Sequence, residues 1–320
     1  MPKKKFYGFQ SGFADDLNDF IQYKRSLGYA EVSYFNLNSF DAFCAERDPD
    51  AKELTQDIVL DWCGMSEKGT INRCSVIREF AKYLISVGKP AFIYPALAIP
   101  PRNDGLPYII PANEQEHFFD ATDSLPHSNK SPIMEYTAPV VFRIMLGCGL
   151  RPREAVDLER RHFDFAHNTI YIEDSKNHRD RRIAISQELA DLCKRYDCIA
   201  EGMFPGRTGF FPNRFGKPMS YPSLVYLFQK SWDLSGNDIG NERPSLYSFR
   251  FTFATETLMR WVEEERDIDA MIPYLSAYMG HVKFKDTYYY IKLLPDRIRK
   301  MKFMNIDGIL PEVDRNDWWK

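Results

Sequence analysis

The sequence predicts a mainly α-helical fold with one small antiparallel β-sheet, an α+β protein of two domains. Apolar residues recur at helical spacing over most of the chain, beginning with residues 13–21. The period changes in HFDFAHNTIYIEDSKNHRDRRIAI, residues 162–185, which is typical of two or three short strands with turns at His167–Asn168 and Asn177–Asp180. A proline-rich stretch separates two helical regions, and 320 residues with 44% hydrophobic side chains are enough for two cores.

The first domain is predicted over residues 1–88 as a small bundle of about four helices. Its last helix is expected to end at Gly88, since glycine commonly follows a helix C-terminus. Residues 89–107, KPAFIYPALAIPPRNDGLP, contain five prolines, which exclude a long helix. We interpret this stretch as an extended and fairly stiff linker between the two domains.

The second domain is predicted over residues 108–305 and begins with helices. One helix is expected over Glu114–Ala121, and another ends in VFRIMLGCGL, where Gly147 or Gly149 can stop it. After the predicted strands, the pattern is helical again from Ser186 almost to the end of the chain.

The composition restricts the class of protein. No stretch reaches the apolar length of a membrane span, and the basic start MPKKKFYGFQ has no apolar run behind it, so neither a membrane span nor a signal peptide is expected. The six cysteines form no CxxC pair, and the six histidines have no metal-ligand spacing. We therefore expect reduced thiols, no metal site and a cytoplasmic location.

The charge of the chain does not by itself identify a partner. The formal net charge of -3 does not favour a polyanion. Basic residues nevertheless cluster within residues 151–161, 176–182 and 292–302, while acidic residues collect elsewhere. This pattern fits either a basic face for nucleic acid or an ordinary mixed surface.

The segment GCGLRPREAVDL, residues 147–158, places two arginines and a glutamate directly after a glycine-rich helix end. Pro152 suits the first turn of a new helix, whose free N–H groups favour an anion. Arg151 beside them adds a forked, permanently charged donor suited to phosphate. Taken alone, the segment is more typical of a pair of surface arginines.

Two further segments contain polar residues in apolar surroundings. In SLYSFRFTFATETL, residues 245–258, Arg250 either extends its head group to solvent, which is the commoner case, or points into a polar site. In YMGHVKFKDTYYYIKL, residues 278–293, His281 precedes three consecutive tyrosines. A single histidine in such a segment is more often structural than functional.

Taken together and in this order, the segments resemble the catalytic domain of the tyrosine recombinases, the phage-integrase family. The family's G-L-R-x-x-E motif corresponds to residues 149–154. Its β-turn lysine before an R-x-x-P-like strand corresponds to Lys176 before residues 182–185. Its H-x-x-R-H-T-F-A-T motif corresponds to residues 247–255, and its L-G-H motif to residues 279–281.

The resemblance also selects one tyrosine. The family's nucleophile follows the histidine of L-G-H by nine positions, and nine positions after His281 is Tyr290. Successive helical residues are turned by about 100°, so Tyr288 and Tyr289 are expected to face elsewhere, toward packing or DNA. The resemblance covers roughly residues 108–302, and the first domain is similar to the family's core-binding domain, although it has no specific motif.

The resemblance implies a reaction on double-stranded DNA that needs no metal and no cofactor. Tyr290 would attack the scissile phosphate and form a 3′-phosphotyrosyl link. Arg151 and Arg250 would hold the non-bridging oxygens, on which charge develops, and Lys176 would protonate the leaving 5′ oxygen. The implied function is site-specific recombination of the integrase or transposase type.

The remaining motif residues have implied roles around the same phosphate. His281 would hydrogen-bond it, and Glu154 would support the arginines. The chain departs from the family pattern at Phe251 and at Tyr247, which occupies the place of a histidine. A phenol with a pKa near ~10 is a poor general base at neutral pH, but it can form a hydrogen bond. We predict that Tyr247 contacts the phosphate or the Tyr290 oxygen, and that Phe251 is a packing residue.

The resemblance further implies a homotetramer on two DNA duplexes in the bacterial nucleoid, each subunit holding DNA between its two domains. The tail, residues 306–320, contains Trp318 and Trp319, and it is expected to dock on a neighbouring subunit or on its own domain. Because few residues precede Phe13, the extra N-terminal domain of longer integrases is not expected. The unusual tail and the altered second motif favour a mobile element over a resolvase of chromosome dimers.

Two other functions stay open for a chain with these motifs. A catalytically silent DNA-binding relative would bind a site without cutting it, and Tyr247 is consistent with that function. A type IB topoisomerase uses the same chemistry to relax supercoils. The R-x-x-E motif and the two-domain size favour the recombinase.

Overall fold

The structure is a computed structural model that describes residues 8–29, 34–65, 69–96, 107–173, 180–237, 244–281, 285–291 and 294. The described residues are mainly helical and include one three-stranded antiparallel sheet, which confirms the predicted fold class. They divide into two compact units, one within residues 8–96 and the other within residues 107–294.

The first unit is a helical bundle around an aromatic core. Its helices are α1 (Ala14–Ser26), α2 (Asn36–Arg47), α3 (Gln56–Gly64) and α4 (Thr70–Ser86). Phe13, Phe20, Phe40, Trp62 and Phe80 are fully buried in it. The Phe40 ring meets Trp62 edge-on with ring centroids 5.2 Å apart, a favourable geometry for aromatic pairs.

The first part of the predicted linker, residues 89–96, lies against this bundle. The Phe92 backbone N–H donates to the Leu54 carbonyl at 2.7 Å. Phe92 and Tyr94 pack onto the core of the bundle, because removing their apolar surface from water is favourable. Residues 97–106, with two of the five prolines, lie outside the described part of the chain.

The second unit places helices around a larger aromatic core. The helices are α5 (Ala112–Asp123), α6 (Met134–Cys148), α7 (Pro152–Val156), α8 (Gln187–Met203), α9 (Tyr221–Leu234), α10 (Leu246–Glu263), α11 (Ile268–Met279) and α12 (Lys285–Ile291). Phe142 of α6 stacks on Phe249 of α10 with centroids 5.6 Å apart, and Phe118 of α5 packs against both. α5 extends beyond the predicted Glu114–Ala121 at both ends.

The sheet comprises β1 (Phe163–Asp164), β2 (Thr169–Ile172) and β3 (Arg181–Ala184), in that spatial order. Ile170 pairs with Ile183, and both are buried on the same face. Asn168 adopts a positive φ of 51°, as an asparagine in a tight turn can, and it lies in the first predicted turn. Most of the second predicted turn is within residues 174–179, outside the described residues.

Two helix ends position the motif segments of the second unit. Gly149 ends α6 with a φ of 58°, while Gly147 lies inside that helix. Gly280 ends α11 with a φ of 68°. Helices α10, α11 and α12 share a small apolar cluster that includes Tyr290 and Ile291. The chain therefore turns sharply just before Arg151 and just before His281.

Candidate active site

Arg151 is held at the N-terminus of α7 by two elements of the second unit. Its backbone N–H donates to Glu154 Oε2 at 2.9 Å, and its Nη1 donates to Glu154 Oε1 at 2.7 Å. Its Nη2 donates to the Gly280 carbonyl at 2.8 Å. The guanidinium is therefore fixed between the start of α7 and the end of α11.

Glu154 joins Arg151 to a second arginine, Arg181 of β3. The Arg181 Nη1 and Nη2 atoms donate to the two Glu154 oxygens at 2.9 Å each, and its Nε donates to the Tyr278 carbonyl at 2.8 Å. Burial acts to raise the pKa of Glu154, but the hydrogen bonds and charges of Arg181 and Arg151 lower it to about 2. Glu154 is thus a buried carboxylate shared by two guanidinium groups.

Arg250 points into the interior of the second unit, with only 3% of its surface exposed. Its Nη1 donates to the Gly149 carbonyl at 2.6 Å, and its Nη2 donates to the Met279 carbonyl at 2.8 Å. Burial lowers the pKa of the guanidinium, and the neighbouring Tyr290 opposes that shift. The sequence allowed the Arg250 head group to extend to solvent or to point into a polar site, and in the structure it points into the interior.

His281 lies between Arg250 and α12. Its Nε2 is 2.8 Å from Arg250 Nη2, and its Nδ1 is 2.7 Å from Thr287 Oγ1. Burial, followed by the charges of Arg250, Arg151 and Arg181, lowers the pKa of His281 to about 3. The ring is therefore neutral near pH 7, and both of its nitrogens are engaged within the protein.

Tyr290 is buried beside these groups, with 4% of its surface exposed. Its ring stacks on His281 with centroids 5.8 Å apart, and Phe251 packs at 5.8 Å. Burial raises the pKa of the phenol, while the charge and hydrogen bonding of Arg250 and the charge of Arg151 act to lower it. The Tyr290 phenol therefore lies close to the arginine side chains of two motifs, Arg250 and Arg151.

The other two tyrosines of the run lie on different sides of α12. Tyr288 is half-buried and packs against the apolar cluster of α10, α11 and α12. Tyr289 is half-buried with its ring 6.3 Å from Phe251 and 6.0 Å from Tyr290. Tyr290 is thus the most buried of the three.

Comparison with known proteins identifies the same family as the motifs. The model of the Phage integrase family matches residues 109–297, more than half of the chain. The chain belongs to the phage integrase family. This membership confirms the resemblance that the motifs indicated.

Relatives of this phage-integrase chain include a putative integrase/recombinase, y4rB, of Sinorhizobium fredii (strain NBRC 101917 / NGR234). It is 25% identical over 306 residues, which cover 91% of this chain and 96% of the relative. The tyrosine recombinase XerC of Chlorobaculum parvum (strain DSM 263 / NCIMB 8327) is 20% identical over 256 residues, covering 74% of this chain and 73% of the relative.

Solved structures of the family share the fold. The XerH site-specific recombinase bound to palindromic difH substrate has a TM-score of 0.63 at 17% identity, covering 88% of this chain and 82% of that one. A lambda integrase tetramer bound to a Holliday junction has a TM-score of 0.62 at 14% identity, covering 91% and 80%. The Tn1549 transposon integrase with transposon right end DNA has a TM-score of 0.61 at 15% identity, covering 86% and 94%.

The structure brings together most of the motif residues of this phage integrase. Arg151, Glu154, Arg250, His281 and Tyr290 form one connected group of hydrogen bonds and ring contacts. The predicted lysine, at position 176, lies outside the described residues. Its place relative to the group stays a prediction.

Tyr247, the departure from the family's second motif, lies in the first turn of α10 and is 45% exposed. Within the described part of the chain, its hydroxyl has no hydrogen-bond partner. The ring lines a cavity of about 300 Å³ together with Tyr221 and Trp232. The predicted contact with the phosphate or the Tyr290 oxygen stays a prediction.

Two residues that contact this group, Arg181 and Thr287, are not among the predicted site residues. A signal existed for each of them. Arg181 is two positions before the buried Ile183, and strand residues two apart share a face. Thr287 is three positions before Tyr290, and helical residues three apart share a face.

The basic segment after α7 is neutralised by carboxylates. Arg160 donates to Asp197 at 2.9 Å and to Glu201 at 2.7 Å. Arg161 donates to Glu159 at 2.6 Å and also pairs with Glu173. Here the structure has a mixed surface rather than a uniform basic face, so the segment by itself does not indicate a nucleic-acid contact.

The described residues contain no group of three or more His, Cys, Asp or Glu side chains that could hold a metal ion. Among them, no helix combines the length and apolar character that crossing a membrane requires. All six cysteines are free, and each is buried except Cys198.

Proposed function

We propose that this protein is a site-specific DNA recombinase that cuts and rejoins double-stranded DNA through a 3′-phosphotyrosyl intermediate on Tyr290. The observation that carries the proposal is the Tyr290 phenol, buried beside the Arg250 guanidinium and within the field of Arg151. Phosphoryl transfer depends on positioning a nucleophile and stabilising charge on the phosphate oxygens, and this arrangement supplies both.

In the proposed mechanism, Arg151 and Arg250 bind the non-bridging oxygens of the scissile phosphate. Each guanidinium is held by the carbonyl of a helix-ending glycine, at Gly280 and Gly149 respectively. Because these donors are fixed before the substrate arrives, they stabilise the developing charge without reorganising. Glu154 supports them by holding Arg151 through a buried, charge-assisted hydrogen bond.

Tyr290 gives its phenol proton to water, attacks phosphorus through the phenolate oxygen and forms the covalent bond to the 3′ phosphate. The bond to the 5′ oxygen breaks, and Lys176 protonates that oxygen as it leaves. Burial raises the pKa of Tyr290, and Arg250 opposes this shift by favouring the phenolate. No external energy source is needed, because the energy of the broken phosphodiester is kept in the phosphotyrosine.

The proposed site also includes His281 and Tyr247. Both His281 nitrogens contact protein groups, so the ring acts on the phosphate indirectly, by holding Arg250. For a direct hydrogen bond to the phosphate, His281 would have to release Arg250 or Thr287. Tyr247 presents an exposed phenol on the helix that carries Arg250, where it can donate to a phosphate oxygen.

The test uses nicked suicide DNA substrates from the flanks of the gene's own genomic position. Wild type, Tyr290→Phe, Tyr288→Phe and Tyr289→Phe are compared for a protein–DNA adduct that survives SDS. The two neighbouring variants are matched controls, because each removes one hydroxyl from the same helix. An adduct lost only in Tyr290→Phe is the expected result.

Three other results would contradict the proposal in different ways. Loss of the adduct in Tyr288→Phe or Tyr289→Phe alone would assign the nucleophile elsewhere. Relaxation of any supercoiled plasmid, without a site requirement, would favour a type IB topoisomerase. Site-selective binding without an adduct would favour a catalytically silent relative, for which Tyr247 in place of histidine is the supporting observation.

We further propose that four copies assemble on two DNA duplexes, with the tail, residues 306–320, docking on a neighbouring subunit. The proposal is supported by the shared fold with a lambda integrase that forms a tetramer on a Holliday junction. Truncation after residue 305 should abolish tetramers in analytical ultracentrifugation with DNA while leaving binding of a single site intact. Tetramers in the truncated protein would argue against docking on a neighbour.

A role in a mobile element, acting on DNA in the bacterial cytoplasm, completes the proposal. It is supported by the shared fold with the integrase of transposon Tn1549. Recombination between the flanks of the gene and a second plasmid should yield joined products. If the protein instead resolves only chromosome or plasmid dimers at one fixed site, this part of the proposal is wrong.

A further inference from the structure

Thr287 is a buried polar residue on the tyrosine helix with a specific partner. Its side chain has 0% exposure, and its Oγ1 lies 2.7 Å from His281 Nδ1. Thr287 and Tyr290 are three positions apart on α12, so their side chains point about 60° apart around the helix axis. The hydroxyl thus lies on the face of α12 that also carries the Tyr290 phenol.

The donors and acceptors around His281 determine where its proton resides. A guanidinium has only N–H donors, so the 2.8 Å contact between Arg250 Nη2 and His281 Nε2 requires Nε2 to accept. A neutral imidazole with an acceptor at Nε2 carries its proton on Nδ1. The Nδ1–H group therefore donates to Thr287 Oγ1. The neutral state agrees with burial and with the surrounding arginines, which lower the pKa of His281 to about 3.

We propose that Thr287 is a positioning residue that holds His281 in this tautomer, and through it holds Arg250 in place for the phosphate. This inference rests on the proposed recombinase function. Thr287 and Tyr290 belong to one helix, so the position of α12 sets both the nucleophile and, through His281, a hydrogen bond of the phosphate-binding arginine.

The effect of losing the Thr287 hydroxyl follows from the same donors and acceptors around His281. Without an acceptor, the buried Nδ1–H is unsatisfied, and the proton moves to Nε2 or the ring turns. A proton on Nε2 then faces the N–H of Arg250, so two donors oppose each other. Arg250 still donates to the Gly149 and Met279 carbonyls, but its second Nη2 hydrogen bond is gone.

The variants are Thr287→Val, which keeps the shape and removes the hydroxyl, and Thr287→Ser, which keeps the hydroxyl. Thr169→Val is the matched control, because Thr169 Oγ1 is buried without a hydrogen-bond partner among the described residues. With suicide substrates, Thr287→Val should cleave roughly 10- to 100-fold more slowly, the loss of one positioning hydrogen bond to a charged group. DNA affinity should be unchanged, and Thr287→Ser and Thr169→Val should cleave at nearly the wild-type rate.

A spectroscopic measurement separates positioning from a merely structural role. In protein labelled with ¹⁵N-histidine, the His281 signals are assigned by their loss in His281→Gln. Wild type and Thr287→Ser should have the Nδ1–H tautomer near pH 7, and Thr287→Val should lose it. An Nε2–H tautomer in wild type, or unchanged cleavage by Thr287→Val, would overturn the inference.

The tautomer measurement does not depend on cleavage, so the two proposals can fail separately. If wild type forms no adduct, the recombinase function fails. The Nδ1–H tautomer in wild type, lost in Thr287→Val, would then still support the Thr287–His281–Arg250 arrangement. Slow cleavage by Thr287→Ser equal to that of Thr287→Val would overturn it even in an active enzyme.

Discussion

The Arg181 guanidinium donates to both carboxylate oxygens of Glu154, at 2.9 Å each, where only 9% and 4% of the two side chains are exposed. This pair joins β3 to α7. Glu154 also binds Arg151, so the pair indirectly supports an arginine of the proposed phosphate site. A buried ion pair of this kind costs desolvation, and its geometry must offset that cost.

Removal of Arg181 is expected to destabilise the second unit. Arg181→Gln leaves the Glu154 carboxylate buried with fewer partners, and loss of one member of a buried pair typically costs about 3 kcal/mol in the free energy of unfolding. The measurement is urea unfolding at equilibrium. Arg182→Gln is the matched control, because Arg182 is exposed on the opposite face of the same strand. An equal loss in the two variants would mean that the Glu154 pairing contributes nothing of its own.

Gly149 is expected to tolerate no side chain. Its φ is +58°, and an added Cβ would lie 2.3 Å from Phe253 Cδ1. Gly149→Ala should lower the free energy of unfolding by more than ~1 kcal/mol from the left-handed backbone alone, and it should slow cleavage because the Gly149 carbonyl holds Arg250.

Gly147 provides the control for this substitution in the same motif. It lies inside α6, where an added Cβ would make an ordinary contact of 3.4 Å with Leu189. Gly147→Ala should be neutral or stabilising by up to about 1 kcal/mol, since alanine favours the helix. Chemical denaturation and cleavage assays on both variants check the pair. Comparable behaviour of the two would contradict the proposed importance of the Gly149 conformation.

Tyr247→Phe is expected to slow DNA cleavage roughly 10-fold without weakening DNA binding, because it removes one hydrogen bond to the phosphate or to the nucleophile. The rate constant of adduct formation and the dissociation constant are measured with the same substrate. Tyr274→Phe is the control, since Tyr274 is an even more exposed tyrosine at 70%. Near-normal cleavage by Tyr247→Phe would refute a catalytic contribution from its hydroxyl.

The second unit is expected to lose stability in acid in two steps. His281 has a folded-state pKa of about 3 against an ordinary value of 6.5, so the unfolded chain binds its proton first and stability falls as pH drops below 6.5. Glu154 has a folded-state pKa of about 2 against an ordinary 4.5, so its stabilisation is complete above pH 4.5 and is lost as pH falls toward 2.

Between pH 6.5 and 4.5, His281 contributes to this loss and Glu154 does not. Thermal unfolding over that window should therefore show a smaller decline in midpoint for His281→Asn than for wild type. The other histidines are the same in both proteins, so they cancel in the comparison. Parallel curves for the two proteins would mean that His281 is not held neutral in the folded state.

Much of the fold could be predicted because its signals are local. The helices α5 and α8, the end of α6 at Gly147 or Gly149 and the strands around Asn168 all follow from the spacing of apolar residues and from turn residues. The bounds differ by a few residues, as at α5, because helix ends depend on contacts that the pattern does not contain. The packing of residues 91–94 onto the first unit likewise depends on tertiary contacts that the pattern does not contain.

The sequence by itself determined the order of the motifs and the family, because these depend on residue identity and spacing along the chain. Through the resemblance, it also predicted Tyr290 as the nucleophile among three adjacent tyrosines. The tertiary structure alone decided that Arg250 points inward, that Arg181 shares Glu154 with Arg151, and that Thr287 meets His281. Each of these contacts joins different elements of the second unit. The reason is physical: burial and hydrogen-bond partners are set by packing between elements, which spacing along one element does not specify.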